Sequence, residues 1–388
     1  MVEARARAGL SQERVAELLG IDRSRLSGIE RGSRPLDVEM LVRLAQLYGV
    51  TMGSLFGTGE FREEEMEVRL RTAVAEEVGQ GEVRALLSAF NRMVTRYRRL
   101  AREAGLPSRQ ADILRLRADS QTHKFAVEGD AERLRDYWGL DDAPIGTGIF
   151  DLLEERGVGV YREALADTKI SGAFLSGMEP QPLVLVNASD WPYRQVFPAA
   201  HELAHLVYHG ASGVSFKGDD ATEERTANSF ASAFLMPASA IKRFLAVRPT
   251  REERLDIDAV IELHRAFGVS YAAMLVRLRN LGVLKPRQYE VLKLAQPVHE
   301  ARKLGFAVQP WELGYEPAKV PADQRLAWLP RRFVALVKRA WQEHRLTSRQ
   351  AAEFLNLEYE VFSALFRGTP AEEDRHLADV ADAEFSVR

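Results

Sequence analysis

Two histidines four residues apart, with a glutamate beside the first, form the sharpest chemical signal in this sequence: His201-Glu202-Leu203-Ala204-His205. On a helix, positions i and i+4 share a face, so both imidazoles can reach one cation. Glu202 lies about 100° round the helix from His201. From there its carboxylate reaches a water beside the cation rather than the cation itself, as a general base in metal-assisted hydrolysis must. A pattern this short also arises by chance, and two satisfied histidines on an amphipathic helix are the plain alternative. The surroundings favour the metal.

A hydrolytic zinc site takes three protein ligands and keeps one position open. The chain has no cysteine, so any metal must sit on His, Asp or Glu. Nineteen residues past His205 stands Glu224, in Thr222-Glu223-Glu224-Arg225-Thr226-Ala227-Asn228. On a second helix Glu224 and Asn228 share a face. Glu224 is expected to ligate while Asn228 hydrogen-bonds a ligating histidine and fixes its orientation. Glu223 is the competing ligand and points elsewhere on that helix. His209 continues the face of His201 and His205, but a fourth filled position would leave none for water, so it is read as a supporting or packing residue. Pro198 lacks an N–H and implies either a helix that starts there or a kinked one. Tyr193 and His264 are candidates for an oxyanion partner, with no spacing that favours them.

The elements that must position these groups are mostly helical. Three short β-rich runs stand out, at Gly157–Tyr161, Gly172–Leu175 and Leu183–Val186, each bounded by Gly, Pro or Asn. A helix is expected from about Trp191 to His209 and another from about Thr222. Helical patterns also run over 61–104, broken near Gly79-Gln80-Gly81 and stopped at Gly105-Leu106-Pro107, and over 108–140. The Arg92, Arg96, Arg99 stripe on the former reads as a solvated face. The fold class is mostly α with one small α+β domain. Four segments follow: 1–57, a helical connector at 58–124, the α+β domain at 125–250, and a helical region at 251–388.

Residues 1–57 read as short helices broken by glycine. Ser11 is placed to cap the first, Gly20 ends it, and Asp22 caps the next, Arg23 to Ile29. A further helix runs through Leu41, Leu44, Ala45 and Leu47. A similar unit recurs 336 residues later. Ala16-Glu17-Leu18-Leu19-Gly20-Ile21 aligns with Ala352-Glu353-Phe354-Leu355-Asn356-Leu357, and Leu26, Ser27, Ile29, Arg31 and Gly32 align with Phe362, Ser363, Leu365, Arg367 and Gly368. In the second copy Glu358, Tyr359 and Glu360 stand where the first has Asp22, Arg23 and Ser24. Acids there repel phosphate, so this copy suits packing or protein contacts rather than DNA.

Residues 125–285 resemble the ImmA/IrrE family of zinc metallopeptidases. The likeness rests on Leu183–Asn187, on His201-Glu202-Leu203-Ala204-His205-Leu206, on Glu224 to Ala231 running into Leu235-Met236-Pro237, and on Phe267-Gly268-Val269-Ser270 with Arg277-Leu278. The resemblance implies zinc held by His201, His205 and Glu224, Glu202 as the base, and a protein substrate, typically a repressor. Residues 4–57 resemble the Xre/lambda-repressor helix-turn-helix family. That likeness implies Arg23, Ser24 and Ser27 facing the major groove and Gln12 approaching a phosphate, with Gly28 removing one base contact.

Net charge is −3, and residues 1–57 carry eight Arg against seven acids, so DNA binding would depend on local arginine placement rather than a general basic field. No apolar run is long enough to span a bilayer and the N-terminus has no signal-peptide core, so a cytoplasmic, membrane-free protein is expected. The reading is a regulatory zinc metalloendopeptidase that cuts a repressor-like protein, binds DNA and pairs as a homodimer on half-sites. Its rival is a transcription regulator whose peptidase-like domain senses a metal or ligand without cutting. Leu183–Asn187 is expected to hold substrate by strand addition.

Overall fold

A computed structural model describes residues 10–30 with a few positions on either side, and residues 80–116, 124–165, 172–175, 180–209, 214–215, 221–247 and 255–367. The patterns expected at 61–79, at Arg31-Gly32 and beyond Pro370 lie outside the described residues. The chain divides into two compact units, Met1–Met66 and Glu67–Arg388.

In the first unit, α1 (Gln12–Leu19) begins where Ser11 Oγ accepts the Arg14 N–H at 3.1 Å. It ends at Gly20, whose φ of +66° few other residues adopt, and the Ile21 N–H returns to the Ala16 carbonyl at 2.9 Å. The chain then enters α2 (Arg23–Glu30). Val15, Ala16, Leu19, Leu26 and Ile29 bury against Met40 and Leu44 to give the unit its own core.

The second unit opens with α3 (Gln80–Glu103), which closes at Gly105, φ +63°, with the Leu106 N–H on the Ala101 carbonyl. Of the helix expected over 108–140, α4 (Lys124–Tyr137) is present. Residues 106–116 are irregular because their amides serve distant carbonyls instead of the fourth residue back. Arg109 donates to Pro180 at 2.6 Å, Asp112 to Arg156 at 2.8 Å and Leu116 to Val207 at 3.0 Å.

After α5 (Ile149–Glu155) come β1 (Gly159–Glu163), β2 (Gly172–Leu175) and β3 (Leu183–Asn187). They are followed by α6 (Pro192–His209), a two-residue strand β4 (Val214–Ser215) and α7 (Ala221–Leu235). The sheet order is β1-β3-β2-β4, with β1 parallel to β3 and the other pairs antiparallel. β4 was not legible as a strand, since two residues cannot show alternation. Because β3 is paired on both sides, it has no free edge, and strand addition at Leu183–Asn187 is excluded. Among the described residues the outer strands are β1 and β4.

One face of the sheet is covered by α6, which packs on β2, β3 and α7, while α7 packs on α4. Phe174, Val184, Val186, Leu203 and Phe230 lie in the shared core. Beyond Met236-Pro237 come α8 (Ala238–Ala246), α9 (Ile257–Phe267) and α10 (Tyr271–Asn280). Asp256 caps α9, Gly268 at φ +61° ends it, and Ser270 caps α10, so the two helices meet at 109°. Among the described residues no single helix is long and apolar enough to cross a membrane.

Short helices lead to α11 (Arg331–Gln342), α12 (Ser348–Phe354) and α13 (Tyr359–Arg367). Phe333 of α11 meets Tyr97 of α3 edge-on at 5.5 Å, so connector, α+β domain and C-terminal region form one body rather than three. The internal similarity at offset 336 has a structural counterpart. Asn356 takes φ +53° where Gly20 takes +66°, and the Leu357 N–H meets the Ala352 carbonyl at 2.9 Å as Ile21 meets Ala16.

Candidate metal centre and helix-turn-helix face

The site is built on α6 and α7. Pro192 opens α6, its fixed φ suiting the first helical position. Pro198 therefore lies inside an unbroken helix, where it withholds the N–H that would meet the Arg194 carbonyl. Three residues on, His201 and His205 point into the protein, 1% and 2% exposed. Glu224, in the first turn of α7, faces them, its negative charge favoured by the helix N-terminus.

Donor atoms of the three residues converge. His201 Nε2 lies 3.1 Å from His205 Nε2 and 3.3 Å from Glu224 Oε2, and His205 Nε2 lies 3.4 Å from Glu224 Oε1. A tetrahedral zinc ion with bonds of about 2.0–2.1 Å needs ligand atoms about 3.3–3.4 Å apart. These residues form a His-His-Glu group that could hold a metal ion.

The electrostatics agree with ligation. Burial pushes the His205 imidazolium down, only partly offset by its hydrogen bond to Glu224, which favours the neutral ring a metal needs. Burial alone would raise the Glu224 carboxyl, but hydrogen bonds with His201 and His205 overcome it and hold the group below the usual carboxylate range. Asn228 Oδ1 lies 3.1 Å from His201 Nδ1. Accepting that N–H leaves the Nε2 lone pair directed at the convergence point. Phe174 of β2 lies parallel to His205, ring centroids 5.3 Å apart, and limits its rotation.

Glu202 is 2% exposed and directed at β2. A Cβ at Gly172 would come within 2.8 Å of Glu202 Oε1 and 3.1 Å of both its Cγ and the Leu185 carbonyl oxygen. Only glycine leaves room for the carboxylate. Sequence reading took Gly172 as a strand boundary, and nothing in its spacing ties it to Glu202. Tyr193 and His264 form a separate aromatic group with Trp311 and Tyr271. None of their hydrogen bonds or ring contacts reaches His201, His205 or Glu224. His209 ends α6, and its side chain lies outside the described residues.

In the first unit Arg23 and Ser24 are exposed at the start of α2, and Ser27 is half-buried one turn on. Arg23 pairs with Glu13 at 2.6 Å, both more than half exposed, a surface pair that phosphate can displace. The Gln12 amide donates to Glu30 at 2.7 Å, and Arg5 holds the same carboxylate at 2.6 Å. Gly28 is buried, and a Cβ there would meet the Arg34 side chain at 3.0 Å.

A buried His-His-Glu group on two helices, beside a glutamate and a small mixed sheet, defines a metallopeptidase-like domain, here preceded by a helix-turn-helix. Comparison with known proteins agrees. Residues 153–279 match a peptidase family described as the IrrE N-terminal-like domain, and residues 2–55 match a family described as helix-turn-helix. The HTH-type transcriptional regulator ImmR of Bacillus subtilis (strain 168) is 41% identical over 58 residues, 15% of this chain and 46% of that regulator. The chain thus carries an Xre-like helix-turn-helix domain followed by an IrrE/ImmA-like peptidase domain, and it spans about half the length of the curated relative it matches. The peptidase match runs to 279, past the boundary expected at 250, and so takes in α9 and most of α10.

Proposed function

We propose that this chain is a cytoplasmic zinc metalloendopeptidase of regulatory type, cutting a repressor-like protein and held near DNA as a homodimer by its helix-turn-helix. The observation that carries the reading is the convergence of His201, His205 and Glu224 at tetrahedral spacing, with Glu202 seated against Gly172 beside them. Those three residues would hold the zinc, which supplies Lewis acidity toward a carbonyl and toward water. Glu202 takes the proton of the attacking water on a carboxylate oxygen and passes it to the leaving amide nitrogen. Asn228 and Phe174 hold the two imidazoles in place. An extended substrate adds at the outer edge of β4, the side of the sheet nearer β2 with Gly172 and Phe174, since β3 is closed.

Glu202→Gln keeps the shape of the side chain but cannot take the proton, and His205→Ala removes a ligand. Elemental analysis should show one zinc per chain in wild type and Glu202→Gln, and at least tenfold weaker retention in His205→Ala. Co-expression with neighbouring helix-turn-helix repressors should give fragments with wild type alone. Equal zinc in all three proteins sinks the ligand assignment, and equal cleavage by Glu202→Gln sinks the base. If neither protein cuts while Glu202→Gln still alters transcription, the chain is a sensor instead.

A further inference from the structure

A cavity of about 330 Å³ lies in the larger unit between α3, β1, the segment around 317–329 and the turn after α12. Its lining carries four arginines, Arg92, Arg96, Arg162 and Arg325, against one acid, Glu163. Arg96 is satisfied by Glu353 at 2.6 Å and lies 4.8 Å over the Phe354 ring, so the arginine stripe of α3 is not simply a solvated face. Glu163 accepts the Tyr161 hydroxyl at 2.5 Å. Arg162 stacks 4.5 Å over Phe150 and donates to the Ala327 carbonyl at 3.0 Å. Its Nε, like that of Arg325, is buried without a hydrogen-bond partner. Leaving such donors unmet is costly unless something arrives to accept from them. Burial also pulls Arg162 down to about 10, against the opposing pull of Tyr315 and Asp151.

Tyr161, Trp328 and Phe354 give the same cavity flat apolar faces. Its volume is at the small end of organic-ligand pockets, which run from about 300 to 1,000 Å³. We propose that this cavity binds a small organic anion, a planar ring bearing a phosphate or carboxylate head, with the head on Arg162 and Arg325 and the ring against Trp328 and Phe354. Such a ligand joins the connector helix, the outer strand of the peptidase sheet and the second helix-turn-helix unit. It therefore stabilises whichever arrangement of the three it fits best. The proposal stands whether or not the metal centre cuts anything.

The test is calorimetry on the full chain with phenyl phosphate, benzoate and inorganic phosphate. Saturable binding of an aromatic anion is expected, with inorganic phosphate at least tenfold weaker. Arg325→Gln removes a guanidinium whose buried Nε meets no acceptor, and Arg92→Gln changes an exposed side chain on the cavity wall, so both variants should fold. Each should weaken the aromatic anion by about tenfold or more while zinc content and circular dichroism stay unchanged. No saturation at millimolar concentration, or binding untouched by both variants, overturns the site. Inorganic phosphate binding as tightly as phenyl phosphate overturns the ring subsite.

Discussion

At the metal centre the smallest residue has one of the narrowest roles. Gly172 lies where any Cβ would press on the Glu202 carboxylate, 2.8 Å from its oxygen, with the Leu185 carbonyl closing off retreat. Gly172→Ala should leave zinc content unchanged, because the three donors lie on α6 and α7, away from the new methyl group. Cleavage should fall by about ten- to a hundredfold, the usual cost of displacing a catalytic group by an ångström or so. Rates on the same substrate, set beside elemental analysis, check this. A variant that kept both zinc and full rate would show that Glu202 has slack. The donors themselves were legible from spacing, because a helix dictates which residues share a face. Gly172 was not, because its partner is thirty residues away and reached only through the packing of α6 on the sheet.

Elements hold these residues through a few buried polar ties. Arg277 of α10 is 1% exposed, donates to the Met236 carbonyl at 2.9 Å and grips Glu128 of α4 through both nitrogens. It fastens the end of α7 to two other helices at once. Arg277→Met should destabilise the larger unit by about 3 kcal/mol, since Glu128 and a buried carbonyl lose their donors. Urea unfolding measures it, and a change under about 1 kcal/mol would mean that water replaces the guanidinium. His264 of α9 makes a different prediction. Burial takes it from its ordinary 6.5 to about 4, Arg265 pushing the same way and the Val269 carbonyl opposing. Between those values the unfolded chain binds the proton and the folded one does not. Stability is thus complete above pH 6.5 and falls as pH drops toward 4, by up to about 3 kcal/mol. His264→Asn should flatten that slope, and parallel curves for both proteins would refute the assignment. Glycine and proline signals in the sequence placed most of these helices. They failed at 106–116, where long-range hydrogen bonds override a helical pattern, and at β4, which is too short to show one.

Across the whole molecule, the helix-turn-helix and the His-His-Glu group belong to separate compact units. If Arg23 and Ser24 meet bases, Arg23→Ala should weaken a preferred site by about 1–3 kcal/mol and leave zinc content and cleavage as they were. Gel shifts at moderate salt provide the measure, and equal affinity for specific and random duplexes would make the first unit a protein-docking module. The larger unit, in contrast, cannot be subdivided at the borders of its family match. Residues 80–103 and 331–342 lie on either side of that match in sequence, yet Tyr97 and Phe333 close on each other in its core. Hydrolysis of a single peptide bond between the two units would therefore divide the chain between two separate cores. Each fragment would keep its own buried interior, one with α1 and α2 and the other with His201, His205 and Glu224. On the proposed function, such a cut would part the helix-turn-helix from the metal site for good while each kept its own core.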